Sequence, residues 1–213
     1  MSNAKSYVVL LLVTLLLSVT SLCFAADPAC SPQEKPFERY GLRLRGIYIM
    51  PDEKIDSRLS PLGITVDDAV APELDFEYFI TRNFSAELVL ALSKHDIMMN
   101  NGGTNIGSLW LLPPSLYAKY HPMPQYKVSP YIGFGMNIVM PFDEKLAIDP
   151  SFKVHTTLGW AAKVGADIKI TEHVYLNVDA MYYDSRPDMT IGGTKFKLNI
   201  NPFIIGTGIG VRF

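Results

Sequence analysis

In eight separate segments of this chain, apolar residues alternate with other residues at period two, and one of the two faces so formed carries no charge. Successive side chains of an extended strand point to opposite sides, so this alternation describes strands with two chemically distinct faces. The uncharged face takes Leu42, Leu44 and Tyr48, then Leu74, Phe76 and Tyr78, then Leu88, Leu90 and Leu92. It continues through Leu116, Ile132, Phe134, Met136, Leu158, Trp160, Val164, Leu176 and Val178, and ends with Phe203, Ile205, Ile209, Val211 and Phe213. The opposite face holds Arg43, Arg45, Glu73, Asp75, Glu77, Glu87, Lys119, Lys163, Asp167, Lys169, Asp179 and Arg212. The last segment alternates as far as Phe213. A strand that is apolar on its outer face needs partners along both edges, or it becomes a template for aggregation.

The segments lie near 38–50, 69–81, 84–94, 109–121, 128–140, 156–170, 174–184 and 197–213. Their connections alternate in length. TRN, PMPQYK and TEH are short, whereas 51–68, 95–108, 141–155 and 185–196 are longer and rich in Gly, Pro, Asp and Asn. Short turns at one rim and long loops at the other describe an all-β chain: an eight-stranded antiparallel up-and-down barrel. With its apolar face inward, such a barrel would be soluble and lipocalin-like. An export signal, the loop asymmetry and the aromatic end favour the inverse, a transmembrane β-barrel whose apolar residues meet lipid. Strands of about 13 residues, tilted near 40°, rise roughly 33 Å against an apolar band of about 25 Å, so part of the barrel is expected to project outward.

The export signal is residues 1–25. Lys5 supplies the positive start, YVVLLLVTLLLSV the apolar stretch, and Cys23-Phe24-Ala25 the small residues that signal peptidase reads. A lipoprotein signal at Cys23 would want a small residue where Leu22 stands. Residues 26–36 then form a periplasmic tail and 37–213 the barrel. Loss of Lys5 takes the formal net charge from −2 to about −3. That balance excludes nucleic acid as a partner. Only Cys30 remains after cleavage, so no disulfide staples the fold. No later stretch is long and apolar enough for a membrane helix.

Several stretches resemble the OmpW family of small outer-membrane barrels. They are LRLRGIYIMPDE, KHDI, LPPSLYAKYHP, PYIGFGMN, PFDEK and INPFIIGTGIGVRF, in the family's order and across nearly the whole mature chain. Leu158 and Trp160 depart from the family pattern, which carries the aromatic and aliphatic residue the other way round. The resemblance implies a protein of the bacterial outer membrane that lets small hydrophobic molecules cross. The aromatic end, with Gly208, Val211 and Phe213, looks like the signal read by the outer-membrane assembly machinery.

Independently of the family, position along each strand converts to height within the barrel. The inward residues of the outer half are apolar: Ile47, Ile49, Val89, Leu111, Val139, Met181, Leu198, Ile200 and Ile204, with small Ala69, Ala71 and Ala91. The charged residues named above lie toward the periplasm as a lumen floor, six basic and six acidic, which should pair. Eight strands enclose room only for side chains or one small ligand. An apolar molecule entering from outside would meet a floor of ions, which leaves a sideways route into the bilayer. Pro113 and Pro114 each remove a ladder donor in the fourth strand and mark the expected lateral exit.

Other chemistry is weaker in the sequence. Ser93, His95 and Asp96 could suggest a hydrolase site, but their spacing alone does not assemble a nucleophile and base. His121, His155 and His173 are single, without metal-ligand spacing, so no metal and no cofactor is expected. Tyr120, Tyr126, Tyr131, Tyr175 and Trp110 lie near strand ends, where interfacial aromatic residues belong. The expected partners are outer-membrane lipid, small hydrophobic molecules and the assembly machinery. The rival reading is a structural or recognition barrel with a closed lumen, whose surface loops bind a host or phage.

Overall fold

The computed structural model describes residues 37–55, 65–99, 103–147, 152–191 and 193–213. The expected signal peptide, residues 1–25, and the expected tail, 26–36, lie outside them. Among the described residues the chain is all strand and turn, without a helix. Eight staves form the wall. The first is β1 (Tyr40–Met50) with β2 (Glu53–Ile55), and the second is β3 (Thr65–Val66) with β4 (Ala69–Phe79). β5 (Phe84–Ala91) and β6 (Ser93–Met99) make the third, β7 (Thr104–Leu112) and β8 (Ser115–Tyr120) the fourth, and β9 (Val128–Leu146) the fifth. The sixth is β10 (Lys153–Val154) with β11 (Thr157–Lys169), the seventh β12 (Val174–Asp184) with β13 (Asp188–Ile191), and the eighth β14 (Thr194–Ile200) with β15 (Phe203–Arg212).

Antiparallel pairings run β1–β4–β5–β8–β9–β11–β12–β15 and back to β1, so the sheet closes on itself. The final strand pairs with the first from Gly41↔Arg212 to Met50↔Phe203. Tyr40 and Phe213 exchange both backbone hydrogen bonds at 2.9 Å, so the ladder is complete to the last residue. Two of the short turns use the same device. In TRN the Phe84 N–H donates to Thr81 Oγ1 at 3.0 Å, and in TEH the Val174 N–H donates to Thr171 Oγ1 at 3.1 Å.

Side-chain exposure decides the orientation. Leu44 is 65% exposed and Ile209 56%, whereas Arg43 is 4% exposed and Glu77 is fully buried. The apolar face is therefore the outside of the barrel. Aromatic residues rim this belt. Tyr40, Tyr78 and Phe213 cluster at the turn end, and Trp110 stacks on Phe142 and Trp160 on Phe134 at the other. Such girdles mark the two membrane interfaces. Tyr131 departs from the sequence expectation, being buried in the lumen. It alternates with outward Ile132, which puts its ring inside.

The strands also run farther than the sequence pattern suggests. Much of 95–108 and 185–196, expected as loop, is strand in β6, β7, β13 and β14, and β9 continues to Leu146. Above the belt the pattern inverts. Lys94, Lys145, Lys153 and Asp188 face out, while Ile97, Ile106, Leu109, Leu146, Phe152, Val154 and Met189 form a buried apolar cluster. A search for an outward apolar stripe stops where lipid stops, but backbone pairing continues into water. These outer segments form two walls, β3–β6–β7–β9 and β10–β13–β14–β2.

Leu44 stands midway up the first stave's outward row. Leu44→Arg is expected to destabilise the barrel by about 2–4 kcal/mol in urea unfolding from lipid vesicles, since a cation there must sit in hydrocarbon. A shift below about 0.5 kcal/mol would contradict a lipid-facing position.

Candidate functional site

The narrow lumen contains three layers, and the lowest is ionic. Arg43 pairs with Glu77, with Glu87 at 2.6 Å and with Asp167 at 3.3 Å. One turn of the pleat higher, Arg45 pairs with Glu73, with Asp179 and with Asp75 at 2.9 Å. Lys119 lies 3.1 Å from Glu77 and 3.0 Å from Glu87, and Lys163 joins Glu87 to Asp179. Arg212 closes the bottom on Asp167 and stacks between Phe79 and Tyr175. Eleven of the twelve charged residues read from the sequence thus meet in one network. Lys169 does not join it. It sits half-buried at the turn end, beyond reach of the carboxylates.

Uncharged groups complete the layer. Tyr131 donates to Asp179 at 2.9 Å and lies under Lys119, whose Nζ is 3.8 Å from the ring centroid. Asn177 donates to Asp167 at 2.8 Å and accepts from Arg45 at 2.8 Å. His121 Nε2 lies 3.1 Å from Glu77 and 3.2 Å from Ser85 Oγ. A reading based on charge alone missed Tyr131, Asn177 and His121, although Tyr131 and Asn177 share the strand parity of their charged neighbours. Glycines opposite the long cations make room for them. A Cβ at Gly133 would stand 2.8 Å from Lys163 Cγ and 3.1 Å from Lys119 Cγ.

Above the ions lies an apolar layer. It holds Ile47, Ile49, Val89, Met181 and Ile204 with Ala69, Ala71, Ala91 and Ala161, and the rings of Tyr117 and Tyr183. Val139 is also buried, and Leu111 packs against the upper cluster instead. The side chains of Leu198 and Ile200 lie outside the described residues. The third layer is the upper cluster, within the projecting walls.

The wall beside Pro113 and Pro114 is uneven. Toward the fifth stave the register continues from Leu112↔Met140 to Ser115↔Asn137, and the Pro114 carbonyl accepts from Ile138 N–H at 3.0 Å. Toward the third stave, pairing stops at Ser93↔Leu111 and resumes at Val89↔Ser115. Residues 90–92 and 112–114 carry no described pair across this seam. Pro113 has no N–H to offer there, and its carbonyl accepts from Ser115 Oγ at 3.1 Å. The break at Pro202 differs, because its carbonyl accepts from Tyr183 N–H and Asn201 donates to Asp52.

Ser93 and His95 face inward at the top of the seam. His95 Nε2 lies 3.0 Å from Ser93 Oγ, and Nδ1 lies 3.4 Å from the Asp67 carbonyl. Asp96 points to the other face beside Lys94, so the three residues do not form a triad. The pattern fits a neutral imidazole that donates from Nδ1 and accepts at Nε2.

A model of the OmpW family matches residues 42–213. The chain belongs to the OmpW family. This OmpW-family barrel is 30% identical over 180 residues to the uncharacterized outer-membrane protein y4mB of Sinorhizobium fredii, covering 81% of this chain and 79% of that one. It is 27% identical to outer membrane protein W of Salmonella typhimurium, over 78% and 84% of the two chains. The crystal structure of the outer membrane protein OprG from Pseudomonas aeruginosa superposes with a TM-score of 0.72 at 25% identity, covering 83% of this chain and 96% of that one. The protein is accordingly a barrel of the bacterial outer membrane, its apolar belt in the lipid bilayer.

Two outcomes follow from this OmpW-family lumen. Arg45→Leu leaves Glu73, Asp75 and Asp179 with Lys163 as the remaining nearby cation, and is expected to cost about 3–5 kcal/mol in urea unfolding. Adding Glu73→Gln should recover part of that loss. Burial holds the His95 pKa below its usual value of 6.5. The folded state therefore binds fewer protons there than the unfolded chain, and stability around β6 is lost as pH falls below about 6.5. Amide protection in β6, corrected for the intrinsic exchange rate at each pH, should fall from pH 7 to pH 5, and His95→Gln should flatten that response.

Proposed function

We propose that the protein takes small hydrophobic molecules from outside into the apolar layer of its lumen and releases them sideways into the bilayer. One observation carries the reading. The ionic layer stops the barrel axis below the apolar layer, while the seam between 90–92 and 112–114 has no described backbone pairing at the height of that layer. A molecule without polar groups could not replace the hydrogen bonds and ion pairs of the floor. At the seam, by contrast, it would have no ladder to break, because Pro113 supplies no donor. Ile47, Val89 and Met181 offer an inner surface that suits such a molecule, and the four alanines beside them are small. The family resemblance, which implies passage of small hydrophobic compounds, points the same way.

In this reading the barrel acts as a passive channel rather than an enzyme, and the Ser93–His95 pair serves the wall. The assembly machinery is expected to read Gly208, Val211 and Phe213 at the end of β15.

The two flanking registers place Leu92 opposite Leu112. A Leu92→Cys, Leu112→Cys variant, which keeps Pro113, should staple the seam when oxidised to a disulfide. Uptake of an apolar fluorescent tracer into proteoliposomes is expected to fall at least tenfold on oxidation and to return on reduction. Uptake indifferent to the staple would refute lateral release. Uptake absent from the unmodified protein would favour the recognition barrel.

A further inference from the structure

We infer that the apolar layer contains an uncharged hydrogen-bonding subsite centred on Asn137, which selects hydrophobic molecules carrying one hydroxyl or similar neutral polar group. This inference names the substrate class and rests on the uptake reading above. Asn137 on β9 is the cross-strand partner of Ser115 on β8 and of Gly159 on β11, and it is fully buried. Its Nδ2 donates to Ser185 Oγ at 3.0 Å. Its Oδ1, buried as well, has no hydrogen-bond partner among the described residues, whereas the hydroxyl of fully buried Tyr117 stands beside that of Tyr183.

Buried polar atoms are nearly always paired, and an amide oxygen left without a protein partner in the apolar layer is suited to receive one from a ligand that enters it. Gly159 lets the neighbouring staves come close here, since a Cβ there would collide with the Asp184 carbonyl and lie 2.6 Å from Asn137 Oδ1. A ligand hydroxyl that reaches this layer can donate to Asn137 Oδ1. The nearby carboxylates, Glu73 and Glu87, are engaged by Arg45 and Lys163. The cation beside the subsite, Lys163, sits below, with Nζ 4.6 Å from the Tyr117 ring centroid and engaged by Glu87. The subsite therefore suits a neutral group rather than an ion. It also adjoins the seam, because Ser115 Oγ donates to the Pro113 carbonyl and lies 3.3 Å from the Tyr183 hydroxyl. A molecule anchored at Asn137 would have its hydrocarbon against the unpaired stretch of wall.

The test compares naphthalene with 2-naphthol, a matched pair differing by one hydroxyl. Binding to the full barrel in lipid nanodiscs is measured by equilibrium dialysis, corrected for partition into protein-free nanodiscs. The wild type is expected to prefer 2-naphthol by about tenfold, the scale of one buried hydrogen bond. Asn137→Leu should erase that preference, so that the two compounds bind alike, with heat-modifiable gel mobility confirming a folded barrel. Equal binding of both compounds by the wild type, or a preference that survives Asn137→Leu, overturns the inference and leaves the polar atoms as water sites. Proteoliposome uptake, run in parallel, separates the two readings. Uptake of both compounds independent of Asn137 retains the channel and rejects the subsite. Asn137-dependent binding without uptake by the wild type retains the subsite and rejects the channel.

Discussion

In hydrocarbon no water is available to a backbone N–H or C=O, so each such group must find its partner within the wall. Closure of the sheet follows, and Tyr40 paired with Phe213 is where the chain satisfies it. Closure with eight strands then fixes a narrow lumen. Inside that lumen the cations and carboxylates that alternate with the lipid-facing residues have no solvent to share, so they meet in the middle. The ionic layer is thus a consequence of the wall as much as a feature in its own right.

The network around Arg43 and Arg45 also fills the barrel axis with ions. Each arginine faces three carboxylates, and Lys163 bridges the two groups. Buried ion pairs contribute little net stability compared with apolar packing, but losing one partner leaves the rest uncompensated. A floor of this kind resists partial opening. The same closure that demands complete pairing makes the gap beside Pro113 conspicuous. Proline cannot donate, and its neighbour on β5 therefore faces a wall position that offers nothing in return.

The projecting segments obey a different solvent. Below the girdle of Trp110 and Phe142 the wall is apolar outside and encloses first ions and then the apolar layer, and above it the outer face turns polar over a buried apolar cluster. One continuous set of staves thus serves lipid with one phase of the alternation and water with the other. Where the phase changes, several staves are interrupted: at Pro51, at Leu92, at Pro113 and Pro114, and at Pro202.

The strand count, the all-antiparallel barrel and the inward placement of Arg43, Glu77 and their companions were legible in the sequence, because a period of two and a charge-free face are local properties of consecutive residues. The outer extensions were not, since their outward face is polar and reads as loop until a partner strand is present. Tyr131 looked interfacial by its place near a strand end, and only its parity hinted at the lumen. Which carboxylate meets which cation depended on register between staves far apart in the chain, as with Arg43 and Asp167. The unsatisfied oxygen of Asn137, the approach left by Gly159 and the unequal sides of the Pro113 seam likewise exist only once three or four staves are side by side. Alternation along one strand determines what faces lipid; hydrogen-bond register between strands decides what meets inside.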